Sequence, residues 1–123
     1  MEKDKENIKN DFKKRVYLFT LHLIKFVDGL PKDSSSQIIA KQLIRSGTSI
    51  GANYIEAQAA SSKKDFANFF HHSLKSANES KFWIAILRDV KKCDHEEAEL
   101  LLKELIEIAN ILGSSLITLK SKK

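Results

Sequence analysis

Residues Asp94 to Leu119 read DHEEAELLLKELIEIANILGSSLITL, and the fold is decided by their spacing. Leu101, Leu105, Ile108, Leu112, Leu116 and Leu119 recur every three or four residues, with Leu102 and Ala109 beside them. One face of a 3.6-residue helix is therefore apolar from end to end. Asp94 and Glu97 make a box-like pair at its start. The carboxylates of Glu96 and Glu97 suit the positive N-terminal end of a helix, and the closing lysines suit the negative end.

The pattern repeats three times toward the N-terminus. Ser62 with Asp65 three residues on predicts a helix start. The helix that follows runs to about Lys92 and presents Phe66, Phe69, Phe70, Leu74, Ala77, Trp83, Leu87 and Val90 on a drifting stripe, as in long helices that wrap one another. Before it, a helix is predicted from a serine N-cap within Ser34-Ser35-Ser36 to Ala59 or Ala60, burying Ile39, Leu43, Ile44, Ile50, Tyr54 and Ile55. Gly47 and Gly51 interrupt it at about 1 kcal/mol each relative to alanine, which predicts a closely approaching neighbour. The first helix is predicted over Ile8 to Val27 from Ile8, Phe12, Phe19, Leu23 and Phe26, and it ends in the turn Asp28-Gly29-Leu30-Pro31-Lys32. Residues 1–7 offer nothing to bury and read as a flexible charged lead-in; residues 121–123 read as a basic tail. Long helices joined by connections of a few residues must pack as antiparallel neighbours. The expectation is one all-α domain over residues 8–120, an up-down-up-down four-helix bundle.

Composition agrees. The 123 residues are 42% hydrophobic and 30% charged with only 4 Gly and 1 Pro, too few turn residues for a sheet protein with many hairpins. No run approaches the roughly 20 apolar residues that cross a bilayer, and the opening MEKDKENIKNDFKK has no signal-peptide core, so a cytoplasmic protein without a membrane partner is expected. The single cysteine, Cys93, has no second thiol for a disulfide or a zinc site. The net charge is +5, unevenly spread: residues 1–93 carry 17 basic and 10 acidic side chains, residues 94–119 carry 1 and 6, and the closing KSKK adds three positive charges. Such a distribution can build a basic face for phosphates.

Several stretches resemble a known family: QLIRSGTSIGANYIEA at Gln42 to Ala57, SKKDFANFF at Ser62 to Phe70, KSANES at Lys75 to Ser80, and the LPK turn at Leu30 to Lys32. They are similar to a bacterial four-helix-bundle family that includes the intervening-sequence proteins of 23S ribosomal RNA genes. Gln42, Arg45, Ser49, Ile50, Asn53 and Glu56 match its helix 2 pattern, while Ala57 stands where the family usually has glycine. The resemblance implies a homo-oligomer, commonly a pentamer. A related branch, the accessory proteins of diversity-generating retroelements, implies RNA or DNA and a reverse transcriptase as further partners.

No catalytic constellation emerges. His22, His71, His72 and His95 lack a partner at metal-ligand spacing, no Glu precedes a His by three positions, and neither a phosphate-cradling glycine loop nor a nucleophile elbow is present. No enzyme activity, metal or cofactor is therefore expected. Arg45, Ser49 and Glu56 share one face of their helix with Asn53 beside them, a structural polar stripe that fixes helix register or a subunit contact, with phosphate binding by Arg45 as the alternative.

Two surfaces carry the functional expectation. Tyr17, Leu21 and Ile24 lie nearly opposite Phe12, Phe19 and Phe26 at about 100° per residue, and Phe82 with Ile86 repeats this on the third helix, which predicts an oligomer interface. Lys41 with Arg45, and Lys81 with Arg88 and Lys92, are spaced to form basic stripes for nucleic-acid backbone. The expected function is a non-catalytic oligomeric scaffold that binds RNA or DNA. The alternative is a protein-interaction scaffold that never touches nucleic acid.

Overall fold

The computed structural model of the chain describes residues 2–121, and at residues 2–6 and 8 the backbone alone. Its elements are α1 (Glu2–Asp28), α2 (Ser34–Gln58), α3 (Lys63–Asp89) and α4 (His95–Ser121), with no strand among the described residues. Each helix packs on the next and α1 also packs on α4, which leaves α1 facing α3 and α2 facing α4 across the core. This is the four-helix bundle expected from the spacing. The helix α1 begins at Glu2 rather than Ile8, because Glu and Lys are good helix formers and carry the helix back past its first core residue. Lys122 and Lys123, the end of the expected basic tail, lie outside the described residues.

Side-chain caps stop and start the helices. The α2 N-cap is Asp33 and not one of the three serines: its carboxylate accepts from the Ser36 N–H at 3.2 Å and from the Ser35 hydroxyl at 2.9 Å. A carboxylate wins this position because an ionised acceptor at a positive helix end makes the stronger bond. Hydrogen bonding from Ser36 and Ser35 in turn holds the Asp33 carboxyl well below the usual carboxylate range. Ser62 caps α3 by accepting from the Asp65 N–H at 3.1 Å, and Asp94 accepts from the Glu97 N–H at 3.0 Å at the start of α4, both as the sequence predicts. The helix α3 ends where Lys91 turns left-handed at φ 60° and the Lys92 N–H reaches back to the Leu87 carbonyl at 2.9 Å.

The core takes Phe12, Phe19, Leu23 and Phe26 from α1, Leu43, Ile50 and Tyr54 from α2, Phe70, Ala77 and Leu87 from α3, and the whole predicted leucine stripe of α4 apart from half-buried Leu102 and Leu119. Val16, Leu30, Ile84 and Ala98 join it. Two expected members do not. Ile55 is exposed, since it stands about 100° round the helix from Tyr54, and Val90 is exposed as the cap residue that closes α3.

The close neighbour predicted at the glycines is α1. A Cβ at Gly47 would overlap Leu23 Cδ2, a fully buried side chain, and one at Gly51 would lie 3.2 Å from Val16 Cγ1. Gly113 in α4 has nothing within 4 Å of that position. In urea denaturation Gly47→Ala should therefore lose about 1–3 kcal/mol to overpacking, while Gly113→Ala should gain up to about 1 kcal/mol from helix propensity. Asp33 yields a second expectation. Its carboxyl pKa is lowered on folding, so the stability it contributes is present above the unfolded value and lost as pH falls. Asp33→Asn should melt below wild type at neutral pH, and the gap should narrow at a pH of about 2.5.

Candidate nucleic-acid and subunit interfaces

The polar stripe on α2 turns toward α3. Arg45 pairs through its guanidinium with Glu79 of α3, and its Nε and Nη2 donate to Gln42 Oε1 at 3.2 and 3.1 Å. The same Glu79 oxygen accepts from Trp83 Nε1 at 2.9 Å. One carboxylate therefore ties α2 to the tryptophan of α3. Asn53 donates within its own helix, to the Ser49 carbonyl at 2.9 Å and its hydroxyl at 2.8 Å, and Glu56 is exposed.

Below this rim the seam is built of small side chains. Buried Ser73 donates to the Ile50 carbonyl across the seam at 2.8 Å. Ser80 commits its proton to the Ser76 carbonyl at 2.8 Å, so buried Ser46 is the donor in the 2.8 Å bond between the Ser46 and Ser80 hydroxyls. These bonds satisfy buried hydroxyls and fix the antiparallel register of α2 on α3. Nothing in the apolar periodicity pointed to them.

The five basic residues expected to meet phosphate do not form one face. Lys41 is exposed on the outside of α2, and Lys81 is half-buried. Arg88 binds Asp89 at 2.8 Å and Glu99 of α4 at 3.0 Å, and Lys92 reaches Asp33 at 3.5 Å. With Arg45 held by Glu79, three of the five already face carboxylates. The antiparallel order instead gathers other lysines. The start of α1, the α2–α3 connection and the end of α4 share one end of the bundle, where exposed Lys9, Lys13, Lys14, Lys63, Lys64 and Lys120 outnumber exposed Asp11, Glu56 and Asp65. The opposite end, with the α1–α2 and α3–α4 turns, mixes both signs in the ion pairs just described.

The expected apolar surface is largely present. Tyr17 is 63% exposed and Phe82 58%, Leu21 and Ile24 are also exposed, and Ile86 is half-buried. Tyr17 borders a groove of about 380 Å³ between α1 and α2, floored by Val16 and Gly51 and walled by Ile55. Its lining includes Lys13 and Lys14 and no carboxylate. On the other side of α1 the seam to α4 is closed by charge: Arg15 forks onto Glu104 at 2.6 and 3.0 Å, which raises its already high pKa.

For catalysis the described residues assemble little. No group of three or more His, Cys, Asp or Glu among them is placed to hold a metal, and no helix is long and apolar enough to cross a membrane. His22 stands 3.8 Å from Glu97, and His95 stands 3.5 Å from Glu99. Burial, then the nearby Glu97 and Asp94, push the half-buried Cys93 thiol up, away from the reactive thiolate.

The family described as 23S rRNA-intervening sequence protein matches residues 9–114. The chain belongs to this family. It is also similar to the crystal structure of a protein with unknown function from the S23 ribosomal protein family of Bacteroides thetaiotaomicron, at 33% identity and a TM-score of 0.78, covering 85% of this chain and 97% of that one. No curated protein matches. Membership in the 23S rRNA-intervening sequence protein family agrees with the resemblance carried by Gln42, Arg45, Ser49 and Asn53, whose bonds lie along the seam between α2 and α3.

That seam makes a direct test. Ser80→Leu should cost about 1–3 kcal/mol or more, because no room exists for the side chain between the helices. Glu56→Ala, on the exposed end of the stripe, should stay within about 0.5 kcal/mol of wild type in the same denaturation experiment.

Proposed function

We propose that this protein is a non-catalytic, self-associating scaffold of the cytoplasm that holds nucleic-acid backbone at one end of its bundle. The observation that carries the nucleic-acid part is the gathering of Lys9, Lys13, Lys14, Lys64 and Lys120 at the end where α1 begins and α4 closes. Lysine ammonium groups on mobile stems neutralise phosphates without reading bases, so binding is strong in salt dependence and weak in sequence preference. The family's name refers to 23S rRNA, which makes structured RNA the first nucleic acid to try. Self-association is supported by the exposed apolar side chains of α1 and α3, and a pentamer of 14.0 kDa chains, the size implied by the resemblance, would repeat each weak lysine patch five times.

The second reading is a scaffold for protein partners alone. It is favoured by the ion pairs of Arg45, Arg88 and Lys92, which leave those cations balanced before any phosphate arrives. One titration separates the two. Affinity for structured RNA should fall by orders of magnitude between about 50 and 200 mM salt. Lys9→Glu with Lys64→Glu and Lys120→Glu should abolish it, whereas Lys41→Glu with Arg45→Glu should weaken it much less. No binding by wild type at the lower salt would leave the protein-scaffold reading as the better account.

A further inference from the structure

The self-association just proposed leaves open which surfaces meet, and this inference rests on that reading. The α1–α2 groove is one candidate half: an apolar recess bordered by Tyr17 and Ile55, with Lys13 and Lys14 on its rim and no carboxylate in its lining. It is cationic and lacks a cover. The other half should be an apolar ridge with an acidic border.

The outer face of α4 fits that description. Leu100 is 62% exposed and Ile106 49%, unusual for large aliphatic side chains in the middle of a bundle helix. Around them stand Glu96, Glu99 and Glu107, with Lys103 as the one cation. Residues 94–119 carry 6 acidic and 1 basic side chains, the reverse of the balance in residues 1–93.

Height along the bundle also agrees. The Arg15–Glu104 ion pair fixes the register between antiparallel α1 and α4. Counting outward from it, Leu100 stands level with Phe19, Ile106 with Lys13 and Glu107 with Phe12. Two copies with parallel axes therefore bring the α4 ridge of one to the height of the groove of the next, with Ile106 and Glu107 beside Lys13 and Lys14. Direction settles how such contacts repeat. In a square bundle the α1–α2 groove points between two corners, and α4 is a corner not adjacent to α2. The two surfaces are thus less than opposite, by about 45°. A heterologous contact of that kind turns at every step and closes on itself, where opposite surfaces would extend a fibre.

We propose that the α1–α2 groove of one copy receives the outer face of α4 from a second copy, with Leu100 and Ile106 as the apolar ridge and Lys13 and Lys14 facing Glu107. The contact is heterologous, so each chain uses both surfaces.

The test is a charge swap read as mass in solution. Lys13→Glu with Lys14→Glu makes the groove rim acidic, and Glu107→Lys with Asn110→Lys makes the α4 face basic; all four residues are exposed, so the core is untouched. Each double variant alone should fall to the 14.0 kDa monomer at a concentration where wild type is larger. Mixed one to one, they should recover the larger mass, because each mismatched surface now finds its complement. Tyr17→Glu, at the edge of the groove, should be monomeric both alone and in mixtures with wild type excess removed. If wild type itself is a monomer, the self-association reading fails. If wild type is an oligomer that both double variants and Tyr17→Glu leave intact, self-association stands and this pairing of surfaces is overturned. Variants that are monomeric alone but do not recover on mixing also overturn it, since complementary charge is what the pairing requires.

Discussion

The closeness of α2 to its two neighbours governs the rest of this bundle. On the α1 side, Gly47 and Gly51 leave no Cβ where Leu23 and Val16 arrive. On the α3 side, the buried side chains Ser46, Ser73 and Ser80 are small and hydrogen-bonded. Small residues bring backbones together, and close backbones leave little space between helices for large side chains. Bulk is accordingly found deeper, in the ring cluster of Phe12, Tyr54, Phe70 and Phe66, where neighbouring centroids lie 4.6–5.7 Å apart. It is also found outside, where Tyr17, Ile55 and Phe82 have no cover within the chain. The tight seams and the uncovered surface are two results of one packing choice.

Charge is arranged to match. Cations near the middle and the turn-rich end are drawn into pairs that join elements: Arg15 across to α4, Arg45 across to α3, Arg88 across to α4, and Lys92 to the cap of α2. Exposed pairs of this kind contribute little stability singly. Their larger effect is on what remains free, since they leave the lysines at the opposite end as the main concentration of positive charge. An antiparallel bundle with a basic end and an acidic fourth helix has direction, and direction is what a heterologous assembly needs.

Much of this was legible in the residues and some was not. The α4 leucines, the caps at Ser62 and Asp94, and the close neighbour at Gly47 and Gly51 follow from local spacing and from the known cost of glycine in a helix. Asp33 was hidden by the three serines after it, each an acceptable cap until the geometry showed which side chain reaches the Ser36 N–H. Ile55 was misplaced because a face judged from apolar residues alone does not say how wide the buried arc is. The basic stripes were counted by helix, while partners such as Glu79 and Asp33 lie on other elements and are invisible to a spacing argument. The lysine-rich end could have been found by laying the antiparallel order over the charges, because the termini and the α2–α3 connection must meet there.

The central claim is that the α1–α2 groove is covered in solution. Tyr17 reports on it directly, because its ring is 63% exposed in the single chain and borders the groove. Hydroxyl-radical labelling of the unaltered protein, followed residue by residue across a dilution series, measures that exposure. The account predicts that Tyr17 is protected at high concentration and becomes reactive on dilution, while buried Tyr54 stays unreactive throughout. Reactivity of Tyr17 at its full single-chain level at every concentration would contradict it.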